Sequence, residues 1–154
     1  LAGRGGALGQ RIGPRLPMTV GPILMAVGTL LLLQVNASTT GLARYAVDVL
    51  PGLTTFGLGM ALMVAPLTAT VLAAAPDRHA GVASGVNNAV ARAGSLLAVA
   101  ALPVAVGLSG SDYANPTAFN AGYRQVLVIC AGLLAVGGAI SWLFIRNPVA
   151  NKSA

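Results

Sequence analysis

Residues 123–146 read YRQVLVICAGLLAVGGAISWLFIR, an apolar run bracketed by Arg124 and Arg146 with no charged residue between them. It is long enough to cross a hydrocarbon core of about 30 Å, for which roughly 20 helical residues suffice. The run lacks the period-2 alternation of barrel strands, and a backbone in lipid cannot leave its amides unpaired, so a helix is the expected solution. Three runs of the same kind precede it, at about 18–35, 50–74 and 80–107. The expected fold is an all-α polytopic membrane protein with four transmembrane helices, a leading loop over 1–17 and a tail over 147–154.

Composition leads to the same reading. Of the 154 residues, 56% are hydrophobic and only 8% are charged, against roughly 25% charged in an average soluble domain. A mean hydropathy of +0.81 excludes a disordered chain, a coiled coil or a small disulfide scaffold. The net charge of +6 would fit nucleic acid only if the basic residues shared a face, but they stand singly between apolar runs. No nucleic-acid partner is expected. Cys130 and His79 are each the single residue of their kind, so neither an intrachain disulfide nor a zinc site follows from them. No Ser/His/Asp arrangement, phosphate-binding loop or carboxylate pair stands out, and neither catalysis nor a cofactor is expected.

Lys and Arg set the expected orientation, because short loops rich in them stay in the cytoplasm. One side collects Arg4, Arg11, Arg15, Arg78, Arg146 and Lys152, and the other only Arg44 and Arg124. Both ends of the segment are therefore expected to be cytoplasmic, and the polar stretch from Ser109 to Asn120, with Tyr113, Pro116 and Phe119, is expected to be an outer loop. A secretory signal is the alternative for the first run, since Val35-Asn36-Ala37 resembles a cleavage site. The glycine-rich residues ahead of that run suit a connecting loop better.

Arg92 is the most informative position. It falls near the middle of the third run, where an arginine costs at least about 2.5 kcal/mol to insert and persists only if water or a polar partner meets it. At 100° per residue, Ser84, Asn88, Arg92 and Ser95 share one face, with Asn87 beside them. This stripe is expected to face protein or a wet cavity, either as interhelical glue or in gating and substrate passage. Gly81, Gly85, Ala89 and Ala93 form a ladder of small side chains next to it, which predicts close approach by a neighbouring helix.

In the second run Pro66 lacks an amide donor and its ring crowds the carbonyl of Leu62, so a bend is expected there. Met60 and Met63 lie close to it and are candidates to line a cavity together with Pro66, with ordinary packing as the plainer reading. Thr68 and Thr70 are expected to bond backbone carbonyls. Asp48, Asp77 and Asp112 all fall at run ends or in loops, and there is no glutamate, so no carboxylate sits at membrane depth. Any proton-carrying acid would have to lie elsewhere.

The opening segment, with Gly6, Leu8, Arg11, Gly13 and Arg15 in register, resembles the cytoplasmic loop motif of the major facilitator superfamily. Gln10 stands where that motif has an acid and Pro14 where it has a base, as in the relaxed copy of the second half. Gly57-Leu58-Gly59-Met60, Ala65-Pro66-Leu67-Thr68 and the stretch Ala80 to Asn88, with Arg92 and Gly94, resemble the last spans of its fourteen-helix drug:proton antiporter branch. The resemblance covers nearly the whole chain. It implies the final four helices of a C-terminal six-helix half, with the second span bordering the central cavity, the third at the seam between halves, and the first and fourth as outer supports.

It also implies a C-terminal fragment of a bacterial inner-membrane exporter. The partners would then be the lipid bilayer, the missing N-terminal helices, a small hydrophobic or cationic substrate, and protons. The competing reading is a self-contained four-helix membrane protein with a structural or accessory role, associating through small-residue faces such as Ala131, Ala135 and Ala139.

Overall fold

The computed structural model describes residues 13–35 and 39–146, apart from the side chain of Asp77. Among the described residues every regular element is helical: α1 Arg15–Leu31, α2 Gly41–Asp48, α3 Leu50–Ala73, α4 Ala80–Ala105 and α5 Pro116–Phe144. Short 3₁₀ turns at Leu32–Gln34, Asp77–His79 and Gly110–Ala114 join them. Four stretches are long and apolar enough to cross a bilayer: Arg15–Gln34, Leu50–Ala73, Ala80–Ala105 and Pro116–Phe144.

Two connecting segments are largely helical, one of them expected to be a loop. Residues between the first and second spans form α2, which starts at Gly41 with φ 80°, a left-handed conformation that suits glycine. The polar stretch Ser109 to Asn120 becomes a 3₁₀ turn and the first turn of α5. Asp112 accepts hydrogen bonds from the amide and hydroxyl of Ser109, at 3.0 and 3.2 Å. Asn115 then caps α5, its Oδ1 accepting from the amides of Thr117 and Ala118, with Pro116 in the first turn. This is the ordinary physics of an Asn-Pro start: the cap satisfies orphan donors, and proline has none to lose. Asn115→Ala is expected to cost about 1 kcal/mol, read as a lower thermal midpoint of the chain in detergent.

The hub is α1. It packs against α3 on one side and α5 on another, burying Pro17, Met18, Gly21, Pro22, Met25, Ala26, Gly28 and Thr29. Lipid supplies no hydrophobic force between helices, so association depends on close van der Waals fit. Two reciprocal glycine pairs provide that fit between α1 and α3. A Cβ on Gly28 would lie 2.5 Å from the amide nitrogen of Phe56 and 2.7 Å from the carbonyl oxygen of Gly52. A Cβ on Gly59 would lie 2.5 Å from the carbonyl oxygen of Gly21. Two backbones are therefore in direct contact, two helical turns apart.

The small-residue ladder of α4 meets no neighbour among the described residues. No residue of α4 is buried, and a Cβ on Gly81 or Gly85 would meet nothing within 4 Å. Within the described chain, the tightest backbone approach is between α1 and α3.

The hydroxyls within the spans are satisfied locally. Thr19, Thr29, Thr55, Thr68 and Thr70 each donate to the carbonyl one turn back, that of Arg15, Met25, Pro51, Val64 and Pro66 respectively. Such bonds let a polar side chain sit in an apolar medium at little cost. Among the described residues, no buried side-chain nitrogen or oxygen lacks a partner.

Candidate functional site

Two surfaces carry the residues singled out from the sequence, and they are separate. The first is the polar stripe of α4. Ser84, Asn88, Arg92 and Ser95 are exposed and Asn87 is half-buried. Asn88 Nδ2 donates to the carbonyl of Ser84 at 3.1 Å, and Ser95 Oγ to the carbonyl of Arg92 at 2.9 Å. These bonds stay within the helix and occupy the side chains of Asn88 and Ser95. They leave the Arg92 guanidinium outside them, so among the described residues no other element meets its charge.

The second surface is an open apolar groove of about 710 Å³ between α1, α3 and α5, lined by Met18, Leu53, Phe56, Met63, Leu127 and Leu134 among others. Met63 lines it. Met60 is exposed on α3 and does not line it, whereas Pro66 is buried in the helix packing, and α3 continues through it. Thr29 and Ser141 are the polar residues of the lining, and the Thr29 hydroxyl is already bonded within α1. The groove therefore offers shape and apolar surface without charge selection. No residue of α4 lines it. Cys130 does, half-buried and free.

Of the loop motif, Gly6, Leu8 and Arg11 lie outside the described residues. Gly13 takes φ 87°, a left-handed conformation open to glycine, and so turns the chain into α1. Arg15 at the start of α1 reaches the far end of α5: its Nε donates to the carbonyl of Trp142 at 3.0 Å, and its guanidinium carbon lies 3.9 Å from the centroid of the Trp142 ring. At the other end of the same helix pair, Arg124 Nη1 donates to the carbonyl of Leu33 at 3.0 Å.

Sequence reasoning overlooked both arginine contacts and the glycine pairs of α1 and α3. A signal for the glycines was present, since Gly21 and Gly28 repeat at the same interval as Gly52 and Gly59. For the arginines there was none, because their partners are backbone carbonyls, which every residue carries. Among the described residues no group of three or more His, Cys, Asp or Glu could hold a metal ion.

Comparison with known proteins places this arrangement. The family model described as Major Facilitator Superfamily matches residues 4–154. The multidrug resistance protein Stp of Mycobacterium tuberculosis is 35% identical over 97 residues, covering 63% of this chain and 17% of the relative. The quinolone resistance protein NorB of Staphylococcus aureus strain bovine RF122 / ET3-1 is 31% identical over 143 residues, 88% of this chain and 29% of the relative. The NorB of strain JH9 is 32% identical over the same length, 88% of this chain and 28% of the relative. The chain thus spans less than a third of the length of these curated relatives, and no solved structure matches it. With four bilayer-length helices and a family match along nearly its whole length, this multi-pass membrane chain belongs to the major facilitator superfamily.

Proposed function

We propose that the chain is the final four-helix portion of a fourteen-span drug:proton antiporter that exports hydrophobic or cationic compounds by alternating access. The observation that carries this reading is Arg92. A guanidinium halfway along a bilayer-length helix cannot rest against acyl chains, and the described chain supplies no partner to its charge. The small-residue ladder beside it is equally unoccupied. Transporters of this kind rock two halves around a midplane site, and four helices make up only part of one half. The remaining helices are the natural wall for the α4 stripe, with Ser84, Asn87, Asn88 and Arg92 at the seam. On α3, Met63 lines the apolar groove, Met60 is left exposed for the helices beyond this chain, and Pro66 serves packing.

The charge pattern supports an orientation with both ends of the segment in the cytoplasm of a bacterial cell. Because the spans contain no Asp or Glu, the acid that carries protons belongs to the rest of the transporter.

The test is efflux by the complete transporter in a pump-deficient bacterial host. The quinolone resistance of the Staphylococcus aureus relatives makes a quinolone the first substrate to try, and a cationic dye stands for the cationic compounds of this proposal. Cells expressing the transporter are expected to accumulate less of both, and a protonophore is expected to abolish the difference. Efflux that persists after collapse of the proton gradient would remove proton coupling. No efflux of any compound from a folded, membrane-inserted transporter would remove the exporter reading.

A further inference from the structure

We propose that Arg15 and Arg124 are reciprocal clamps that lock α1 and α5 into one strut of fixed register across the bilayer. The two helices are antiparallel neighbours. Each ends in carbonyls that have no partner within the helix, and each of those ends receives an arginine from near the start of the other. Arg15 Nε donates to Trp142 O, one of the last four carbonyls of α5, and Arg124 Nη1 donates to Leu33 O in the 3₁₀ turn that ends the first span, both at 3.0 Å.

The register makes the two contacts a matched set. Arg15 and Leu33 are 18 residues apart, and so are Arg124 and Trp142. At 3.6 residues per turn this separation is about five whole turns, so in each helix the donor and the acceptor fall on the same face. At 1.5 Å per residue it spans about 27 Å, close to the thickness of a hydrocarbon core of about 30 Å. One rung therefore stands at each end of a bilayer-length stretch, and each is an exposed, charge-assisted bond from a guanidinium to a carbonyl. Between the rungs the helices fit closely: a Cβ on Gly138 would meet Ile23 at 3.1 Å and the carbonyl of Thr19 at 3.2 Å.

The chemistry calls for arginine at both places. A guanidinium can donate from one nitrogen while its plane stacks on an aromatic ring, as Arg15 does on Trp142, whereas a lysine ammonium is a point charge that water solvates more strongly. Each donor also places a positive charge at the negative end of a helix dipole. The strut leaves α4, with no buried residue, as the span most weakly tied to the rest of the described chain.

The experiment uses the full chain carrying Cys130→Ala, reconstituted into phosphatidylcholine vesicles, with spin labels on two pairs of exposed positions. Leu16 with Leu143 reports the Arg15 end, and Leu30 with Val128 reports the Arg124 end. Arg15→Gln is expected to widen the first distance distribution at least about twofold while leaving the second unchanged, because a released helix end frays locally. Arg124→Gln is expected to do the reverse, and Arg15→Lys to behave like Arg15→Gln. Unchanged widths at the near end in both glutamine variants would overturn the proposal. Equal widening at both ends from either variant would overturn it too, since the arginine would then support the fold in general and clamp nothing locally. Full retention of the narrow distribution by Arg15→Lys would reduce that rung to a nonspecific charge effect and overturn its assignment as a guanidinium clamp.

Discussion

Gly28→Leu is expected to separate α1 from α3 and to leave the chain without its core. A Cβ alone at that position would stand 2.5 Å from the amide nitrogen of Phe56 and 2.9 Å from its Cα. Those atoms are backbone and cannot rotate away, so the helices must move apart along the line where they fit most closely. Forcing extra methylenes into a packed interior costs roughly 1–3 kcal/mol when side chains can adjust. Here the obstacle is main chain, and the cost should lie at or above the upper end of that range. Because packing contacts drive association in lipid, little else would hold the pair in register.

The control is Gly85→Leu on α4, where an added Cβ meets nothing within 4 Å. Replacing a mid-helix glycine there should be neutral or slightly stabilising, by up to about 1 kcal/mol, since glycine is a poor helix former. The check is resistance to unfolding of the isolated chain in mixed micelles. Equal loss in the two variants would refute the assignment of the glycine pairs as the packing core. In the complete transporter the order should partly invert: if α4 lies at the seam, Gly85→Leu should fold and yet transport poorly.

Arg92→Ala is expected to reduce transport by the complete protein at least tenfold, equivalent to about 1.4 kcal/mol, while Arg146→Ala stays within about twofold. The contrast rests on depth. Arg92 lies midway along α4, and Arg146 follows the end of α5. Removing a mid-span arginine should make insertion easier, by about 2.5 to 3.5 kcal/mol on insertion scales. Membrane insertion should therefore be unharmed while transport falls. Efflux rates at matched membrane expression check the contrast. Equal efflux by the two variants would sink the role assigned to Arg92.

The four spans could be read from the chain because an apolar run of sufficient length in lipid has one backbone solution. The shared face of Ser84, Asn88, Arg92 and Ser95 was legible for a related reason, since helical spacing alone puts them on one side of α4. The Ser109 to Asn120 stretch misled because it was read by polarity. Asn115 and Pro116 carry a helix start that polarity hides, and the fourth span begins there. The small-residue ladder of α4 and the glycines of α1 and α3 look alike in sequence. Among the described residues, only the second set has a partner.

What the sequence determined by itself was the medium, the helical class, the four crossings and the likeness to the facilitator family. Each depends on length, polarity or local motif. The tertiary structure decided that α1 is the hub, that glycine pairs join it to α3, that two arginines tie it to α5, and that α4 stands apart from that core. In water, hydrophobic periodicity tells which face of a helix turns inward. In a bilayer, lipid and protein interior are equally apolar, so every face of α1 reads alike until a neighbour's backbone is seen to touch one of them.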